Sequence, residues 1–414
     1  MRKLLAFLFA CSLLSAGCSS EDPVRDIIEV VDDEADDLPE EDVILTAPCV
    51  DGFAGVFPCQ GYGLMSRVPL GVLGGNTGND VWGWTDPESG KEYALMGLNT
   101  ATVFVDVTDA ANPIYLGRMR THTVNSSWRD IKVYDHYAFV VSEAMDHGMQ
   151  VFDLTRLRSV SAGSPQVFEA DAHYDAFGNA HNMVINTETA YAYAVGSDTF
   201  NGGPHFIDIS NPLNPLPAGG YEMADYSHDA QVVTYRGPDA DHFGEEILIG
   251  SNENEVVIVD ISDKNKPVEI SRISYPQVGY THQGWFTENQ QYFLLGDELD
   301  ELDFGFNSRT IVLDLTDLDE PLIHTSYFGP TTAVDHNGYV KGNRYYLANY
   351  RAGLRVIDIS GIQGGELTEI GYFDSFPEDD MPGLRGAWSV YPYFASGNIL
   401  ISNIDEGLLV VRKQ

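Results

Sequence analysis

The sequence predicts an all-β chain folded as a seven-bladed β-propeller of four-stranded antiparallel blades, and three observations point there. A short motif recurs along the chain, its copies lie about fifty residues apart, and the body shows no helical periodicity. The motif is a β-branched apolar run ending in Asp and one further aliphatic residue. It appears at Val103-Phe-Val-Asp-Val107, Val151-Phe-Asp-Leu154, Phe206-Ile-Asp-Ile209, Val257-Ile-Val-Asp-Ile261, Ile311-Val-Leu-Asp-Leu315 and Val356-Ile-Asp-Ile359. Ser or Thr follows each copy, often with Asn-Pro, Lys-Pro or Glu-Pro beyond, so each run reads as a strand closed by a tight turn.

The repeated aspartates are Asp106, Asp153, Asp208, Asp260, Asp314 and Asp358, at spacings of 47, 55, 52, 54 and 44 residues. A seventh copy, Glu406-Gly-Leu-Leu-Val-Val411, aligns on Ala352-Gly-Leu-Arg-Val-Ile357. Units of this length have room for four short strands, as propeller blades do; solenoid repeats, the other architecture, are usually shorter. In the fourth unit the strands are expected at Ala230–Tyr235, Glu246–Gly250, Glu255–Ile261 and Val268–Ser274. The last unit ends after its third strand. Met65-Ser-Arg-Val68 matches the outer-strand segment Ile270-Ser-Arg-Ile273, so residues 63–70 are expected to complete the seventh blade and remove its open edge.

Ahead of the propeller, expected over residues 47–414, lie two segments of another kind. Residues 1–17 have the order of an export signal: Arg2 and Lys3, then an apolar run from Leu4 to Leu14 too short to span a bilayer. Leu14-Ser15-Ala16-Gly17-Cys18 resembles a bacterial lipobox, which implies lipid on Cys18; an ordinary signal peptide is the other reading. Ser19 after that cysteine favours the outer membrane, by resemblance to Gram-negative lipoproteins. From Cys18 to residue 46 the chain reads as an acidic flexible tether, with twelve acidic residues and only Arg25 basic between Glu21 and Asp42. Of the net charge of −39, the body keeps most, which disfavours nucleic acid and anionic lipid surfaces as partners. Cys49 and Cys59 are a close pair that an oxidising compartment would join; a two-cysteine metal site would need further ligands that are not nearby.

Aligning the starts of the inner strands gives two columns of polar residues. The first is Asn79, Arg129, His181, His228, His282, His336 and Arg385; the second is Asp80, Asp130, Asn182, Asp229, Gln283, Asn337 and Gly386. These positions are expected near the axis on one face, together with loops bearing Glu143, His147, Asp198, Asn252, Glu253, Asp297, Glu298, Asn349, Arg351, Asn403 and Asp405. Two readings stand. His181, His228, His282 and His336 can ligate a divalent metal such as Zn or Mn, with Glu143 or Glu298 as a base and Arg129 and Arg385 holding an anionic group. Alternatively the columns join one blade to the next and the histidines pack. Asn79, Asp80, Arg129, Asp130, Asp229 and Arg385 are the ligand-binding candidates on the channel face. In the acidic run after residue 296, Asp297, Asp300 and Asp303 form a candidate Ca²⁺ set, against the reading of a solvated acidic loop. The run lacks the EF-hand alternation. Gly-x-Ser-x-Gly, His-Glu-x-x-His, Walker and dinucleotide fingerprints are all absent.

Asn79-Asp-Val-Trp-Gly-Trp84, Trp128-Arg-Asp-Ile-Lys132, Tyr280-Thr-His-Gln-Gly-Trp285, Asp335-His-Asn337 and Asn349-Tyr-Arg-Ala-Gly-Leu-Arg355 carry a family resemblance. With them the chain resembles the choice-of-anchor B family of bacterial surface proteins, which have LVIVD-type repeats. The resemblance implies a propeller displayed at a surface by an anchor, and no particular substrate. The expected role is therefore a lipid-anchored module at the cell surface or in the periplasm. Its channel face would bind a glycan, peptide or protein; a metal-dependent hydrolase or lyase is the alternative.

Overall fold

Five of the six repeated aspartates end the third strand of their blade and Asp358 lies three residues before the end of its own; in all six the carboxylate accepts the backbone N–H two residues on. The pairs are Asp106–Thr108, Asp153–Thr155, Asp208–Ser210, Asp260–Ser262, Asp314–Thr316 and Asp358–Ser360, at 2.8–3.0 Å. This Asx turn reverses the chain toward the outer strand, and it explains why Asp with Ser or Thr two positions later recurs. In blades 1, 3, 4, 5, 6 and 7 a β-bulge follows in the pairing of third and outer strands, as at Ile258/Val259, which adds twist.

The computed structural model describes residues 44–222 and 226–414. The expected signal peptide, the expected lipid site at Cys18 and most of the expected tether lie outside the described residues. The chain is an all-β ring of seven antiparallel blades. The inner strands are Gly78–Thr85, Arg129–Tyr134, Asn182–Asn186, Asp229–Thr234, Thr281–Phe286, Gly338–Lys341 and Ala387–Tyr391, each beside the next, with the last against the first. In blade 4 the strands are Asp229–Thr234, Glu246–Ser251, Val256–Asp260 and Val268–Ile273, within a residue or so of the expected bounds.

The core is divided among the interfaces between blades. Trp84, Leu95 and Phe104 of blade 1 pack on Ile131, Val140 and Phe152 of blade 2, while Ile249 and Ile258 of blade 4 pack on Phe286, Leu295 and Ile311 of blade 5. Such a ring is stable only when closed, since an open blade exposes an apolar face and a strand edge. Closure is made by Tyr62–Val68, which pairs antiparallel with Gly407–Lys413 as the outer strand of blade 7. Ile44–Ala47 pairs on its far side. Between these two strands the chain visits blade 6, where Phe57–Gln60 pairs with Glu366–Phe373. The Cys49–Cys59 disulfide closes that excursion. Gln414 completes the join: its side chain accepts the N–H of Cys49 and its backbone N–H donates to Gly61.

Candidate functional site

The first polar column arrives at one end of the axis because each member stands at or just before an inner strand. His181, His228, His282 and His336 come from four consecutive blades and are all buried. Their rings form an arc, with centroids 4.1 Å apart for His181–His228, 4.4 Å for His228–His282 and 4.4 Å for His282–His336. Trp388 of blade 7 continues it at 4.8 Å from His336. Burial, first among the causes, holds the imidazoles of His228 and His282 well below the ordinary histidine range, and takes His336 down to about 3. These three rings are neutral, so their nitrogens are lone pairs and N–H groups rather than charges.

Three of these rings also join blades. His228 donates its Nδ1–H to the carbonyl oxygen of His282 at 3.2 Å, and His336 donates its Nδ1–H to that of Trp388. His181 donates Nδ1–H to Glu143 at 2.6 Å. Glu298 stands between two blades: its Oε2 is 3.6 Å from His282 Nε2 and its Oε1 is 3.6 Å from His336 Nε2. Tyr350 donates its hydroxyl to Glu298 Oε1 at 2.7 Å. His282, Glu298 and His336 place one ligand atom each within 4.8 Å of one another.

Four members of the second column, Asp80, Asp130, Asn182 and Gln283, are clasps between neighbours. Asp80 accepts the N–H of Ile131, Asp130 that of Met183, and Asn182 donates to the carbonyl of His228. Gln283 both donates to and accepts from Gly338. Asn79 donates to Ser127 O. Lys132, which was not singled out from the sequence, lies 2.6 Å from Asp130 and 3.6 Å from Asp80, over the ring of Trp82. Burial alone would push its ammonium down; the two carboxylates outweigh that and raise it. Asp229 is pushed up to about 7, by burial first and Asp130 second.

The two arginines expected to hold an anionic group stand in different settings, one buried and one exposed. Arg129 is buried, donating Nε–H to Leu98 O and Nη1–H to His147 Nε2, with burial pushing it down to about 10. His147 donates its own Nδ1–H to Gly148 O, which leaves Nε2 as the acceptor. Arg385 is exposed and paired with Asp405 at 2.7 Å. The place in the arc beside His336 is taken by Trp388, which is why Arg385 falls outside it.

The acidic run also differs from both expectations. Asp303 is exposed on the short helix Asp300–Phe304, while Asp297, Asp300 and Glu301 are buried, so the run is neither a solvated loop nor an Asp297–Asp300–Asp303 cage. Asp297 is occupied by the N–H groups of Gly279 and Tyr280 and by the hydroxyl of Tyr275. Asp300 is bound by Arg309 and gathers instead with Glu301 and with Asp335 of the next blade. Burial, then Asp335, pushes the Glu301 carboxyl up to about 12, so Glu301 is protonated beside Asp335. Asp335 was visible only as part of Asp335-His-Asn337; nothing local in the sequence joins it to Glu301.

Comparison with known proteins agrees with this architecture. The LVIVD repeat family matches residues 247–274 and 339–362. No curated protein matches the chain. Among solved structures, Kuenenia stuttgartiensis hydrazine synthase is similar over 77% of this chain and 92% of its own, at 12% identity and a TM-score of 0.55. The Cps50 (Swd1) β-propeller domain of Myceliophteria thermophila is similar over 82% and 96%, at 10% identity and a TM-score of 0.51. At these identities the likeness is one of fold. The chain is a seven-bladed β-propeller that carries LVIVD repeats in those two stretches.

Proposed function

We propose that this LVIVD-repeat β-propeller is an exported, lipid-anchored binding module that presents the histidine end of its axis to a glycan, peptide or protein ligand. The observation that carries the reading is the surplus of hydrogen-bonding capacity at that end. After the blades have been joined, the Nε2 atom of His228 and the Nδ1 atom of His282 are buried and have no partner. Unsatisfied buried polar groups are costly, and binding sites are where such groups are kept. Support for the compartment comes from the Cys49–Cys59 disulfide and the lipobox-like Cys18, and for the partner class from the propeller, a common interaction scaffold. Among the described residues no helix is long and apolar enough to cross a membrane. The anchor proposed is lipid on Cys18, from its lipobox-like setting.

The test uses the full chain in detergent, screened against glycan and envelope-protein arrays and repeated with His228→Ala. A ligand that is captured by the native chain and lost by at least tenfold in the variant supports the module. Silence across both arrays, or a ligand indifferent to His228, refutes it. Globomycin-sensitive processing and palmitate labelling abolished by Cys18→Ala check the anchor. The metal-dependent hydrolase or lyase remains the second reading because Glu298 lies against two imidazoles.

A further inference from the structure

The Nε2 atoms of two imidazoles face the carboxylate of Glu298. His336 spends its Nδ1–H on the carbonyl oxygen of Trp388, which fixes the tautomer and leaves Nε2 as a bare acceptor. That acceptor is turned toward another, the carboxylate oxygen of Glu298, at 3.6 Å. The opposite oxygen of the same carboxylate stands at the same 3.6 Å from His282 Nε2. These separations are too long for a shared proton, since hydrogen bonds of this type close to about 2.7–3.2 Å. They are the spacing of ligands round one ion: two atoms each about 2.1 Å from a tetrahedral metal lie about 3.4 Å apart.

We infer that His282, Glu298 and His336 bind a divalent transition-metal ion at the axis of the propeller. The donor set names the class. Two imidazole nitrogens with one carboxylate suit zinc, manganese or ferrous iron, whereas calcium takes oxygen ligands. The surroundings are those of a metal centre. The Nδ1–H of His336 is held by a backbone carbonyl and Glu298 Oε1 receives the Tyr350 hydroxyl, the outer hydrogen bonds that orient ligands. An independent observation points to the same place: the next ring of the arc, His228, spends its Nδ1–H on His282 O and keeps a buried, unpartnered Nε2. Three protein ligands leave a position of a four-coordinate ion for an oxygen or nitrogen donor of a bound molecule. The neighbouring Asp300, Glu301 and Asp335 are a different case, because Arg309 pairs with Asp300 while burial raises the carboxyls of both Glu301 and Asp335, which keep their protons.

The inference rests on the channel-face reading for its role but not for its existence. The full chain in detergent is stripped with chelator and titrated with Zn²⁺, Mn²⁺, Co²⁺ and Ca²⁺ by calorimetry, with elemental analysis of the dialysed protein. One transition-metal ion per chain is expected, with a Co²⁺ visible spectrum of nitrogen and oxygen ligation. Glu298→Gln and His336→Ala should weaken it about 100-fold or more, Tyr350→Phe about tenfold, and Asp303→Asn not at all. Circular dichroism and melting establish that each variant is folded; the native chain's Co²⁺ spectrum answers independently of any variant. No transition metal on the folded native chain, undiminished one-to-one binding in folded Glu298→Gln, or Ca²⁺ alone would overturn the site. Array ligands bound equally by the stripped chain would leave the module standing without its metal. An ion bound one-to-one with silent arrays would leave the metal without the module.

Discussion

The carboxylate of Asp130 in blade 2 accepts the backbone N–H of Met183 in blade 3 at 2.7 Å. Asp80 does the same for Ile131 one interface earlier, at 3.1 Å. A buried acceptor that serves the neighbouring blade ties the register of two inner strands together, and it does so at the depth where the site is built. The histidine arc is thus mounted on rings of clasps, and its geometry depends on charges that never meet solvent.

Lys132 is the cation that makes two of those clasps tolerable. Its ammonium lies between Asp130 and Asp80, and replacing it by Met leaves Asp130 without its counter-ion, beside an Asp80 carboxyl that burial already raises well above the ordinary range. Lys132→Met is expected to lower the unfolding free energy by about 3–5 kcal/mol in a urea melt. Adding Asp80→Asn should recover part of that loss. A Lys132→Met protein as stable as the native one would show that the pair contributes nothing.

Asp229 supplies a pH dependence of definite sign. Its carboxyl is near 3.8 when unfolded and pushed up to about 7 by burial, with Asp130 adding to it, so the folded chain binds the proton more tightly. Its contribution is present in full at pH below about 4 and is lost as pH rises to about 7, by a few kcal/mol in all. Asp229→Asn keeps an oxygen for the Ala230 N–H but cannot ionise. The expected outcome is a melting temperature matching the native chain at pH 4 and exceeding it at pH 8. Parallel curves at both pH values would remove the assignment.

The Asx turns give a smaller and more local effect. Asp260→Ala strips the acceptor from the Ser262 N–H at an exposed turn, and about 1 kcal/mol is the expected cost by denaturant titration. Asp260→Asn, which retains the oxygen, should cost a few tenths at most.

What could be read from the chain alone follows from where each constraint resides. The blades were legible because Asp106 to Asp358 each do one local job, and a local job leaves a local pattern. The closing strand was legible because Met65-Ser-Arg-Val68 repeats the pattern of another outer strand. The histidine column came through because each ring keeps a near-constant offset from its strand. Arg385 keeps the same offset, yet Asp405 draws it outward and Trp388 takes its place. The acidic run misled for a physical reason: a helix of five residues turns Asp303 to solvent and Glu301 inward, where it meets Asp335 from another blade. Lys132 was overlooked because a lone lysine in a strand is ordinarily solvated, and only the fold brings two carboxylates to it.

The join between the chain ends sets how the whole ring opens. Ser66 sits in the middle of the closing strand, opposite Val410 on one side and Leu45 on the other, so its N–H belongs to a ladder whichever way it points. Ser66→Pro removes that donor from an interior strand and is expected to cost about 3 kcal/mol or more. The Cys49–Cys59 bridge spans a separation of 10 residues, and closing so short a loop restricts the unfolded chain by up to about 3 kcal/mol. Because that loop lies on blade 6 while the strand after it belongs to blade 7, reduction should loosen the two blades together. Hydrogen exchange under reducing conditions is therefore expected to quicken first in Phe57–Gln60 and Tyr62–Val68. Asp229–Thr234, the inner strand of blade 4, should exchange only with global unfolding. Uniform quickening round the ring would mean that the blades open as one unit and that the N-terminal clasp is not its weakest seam.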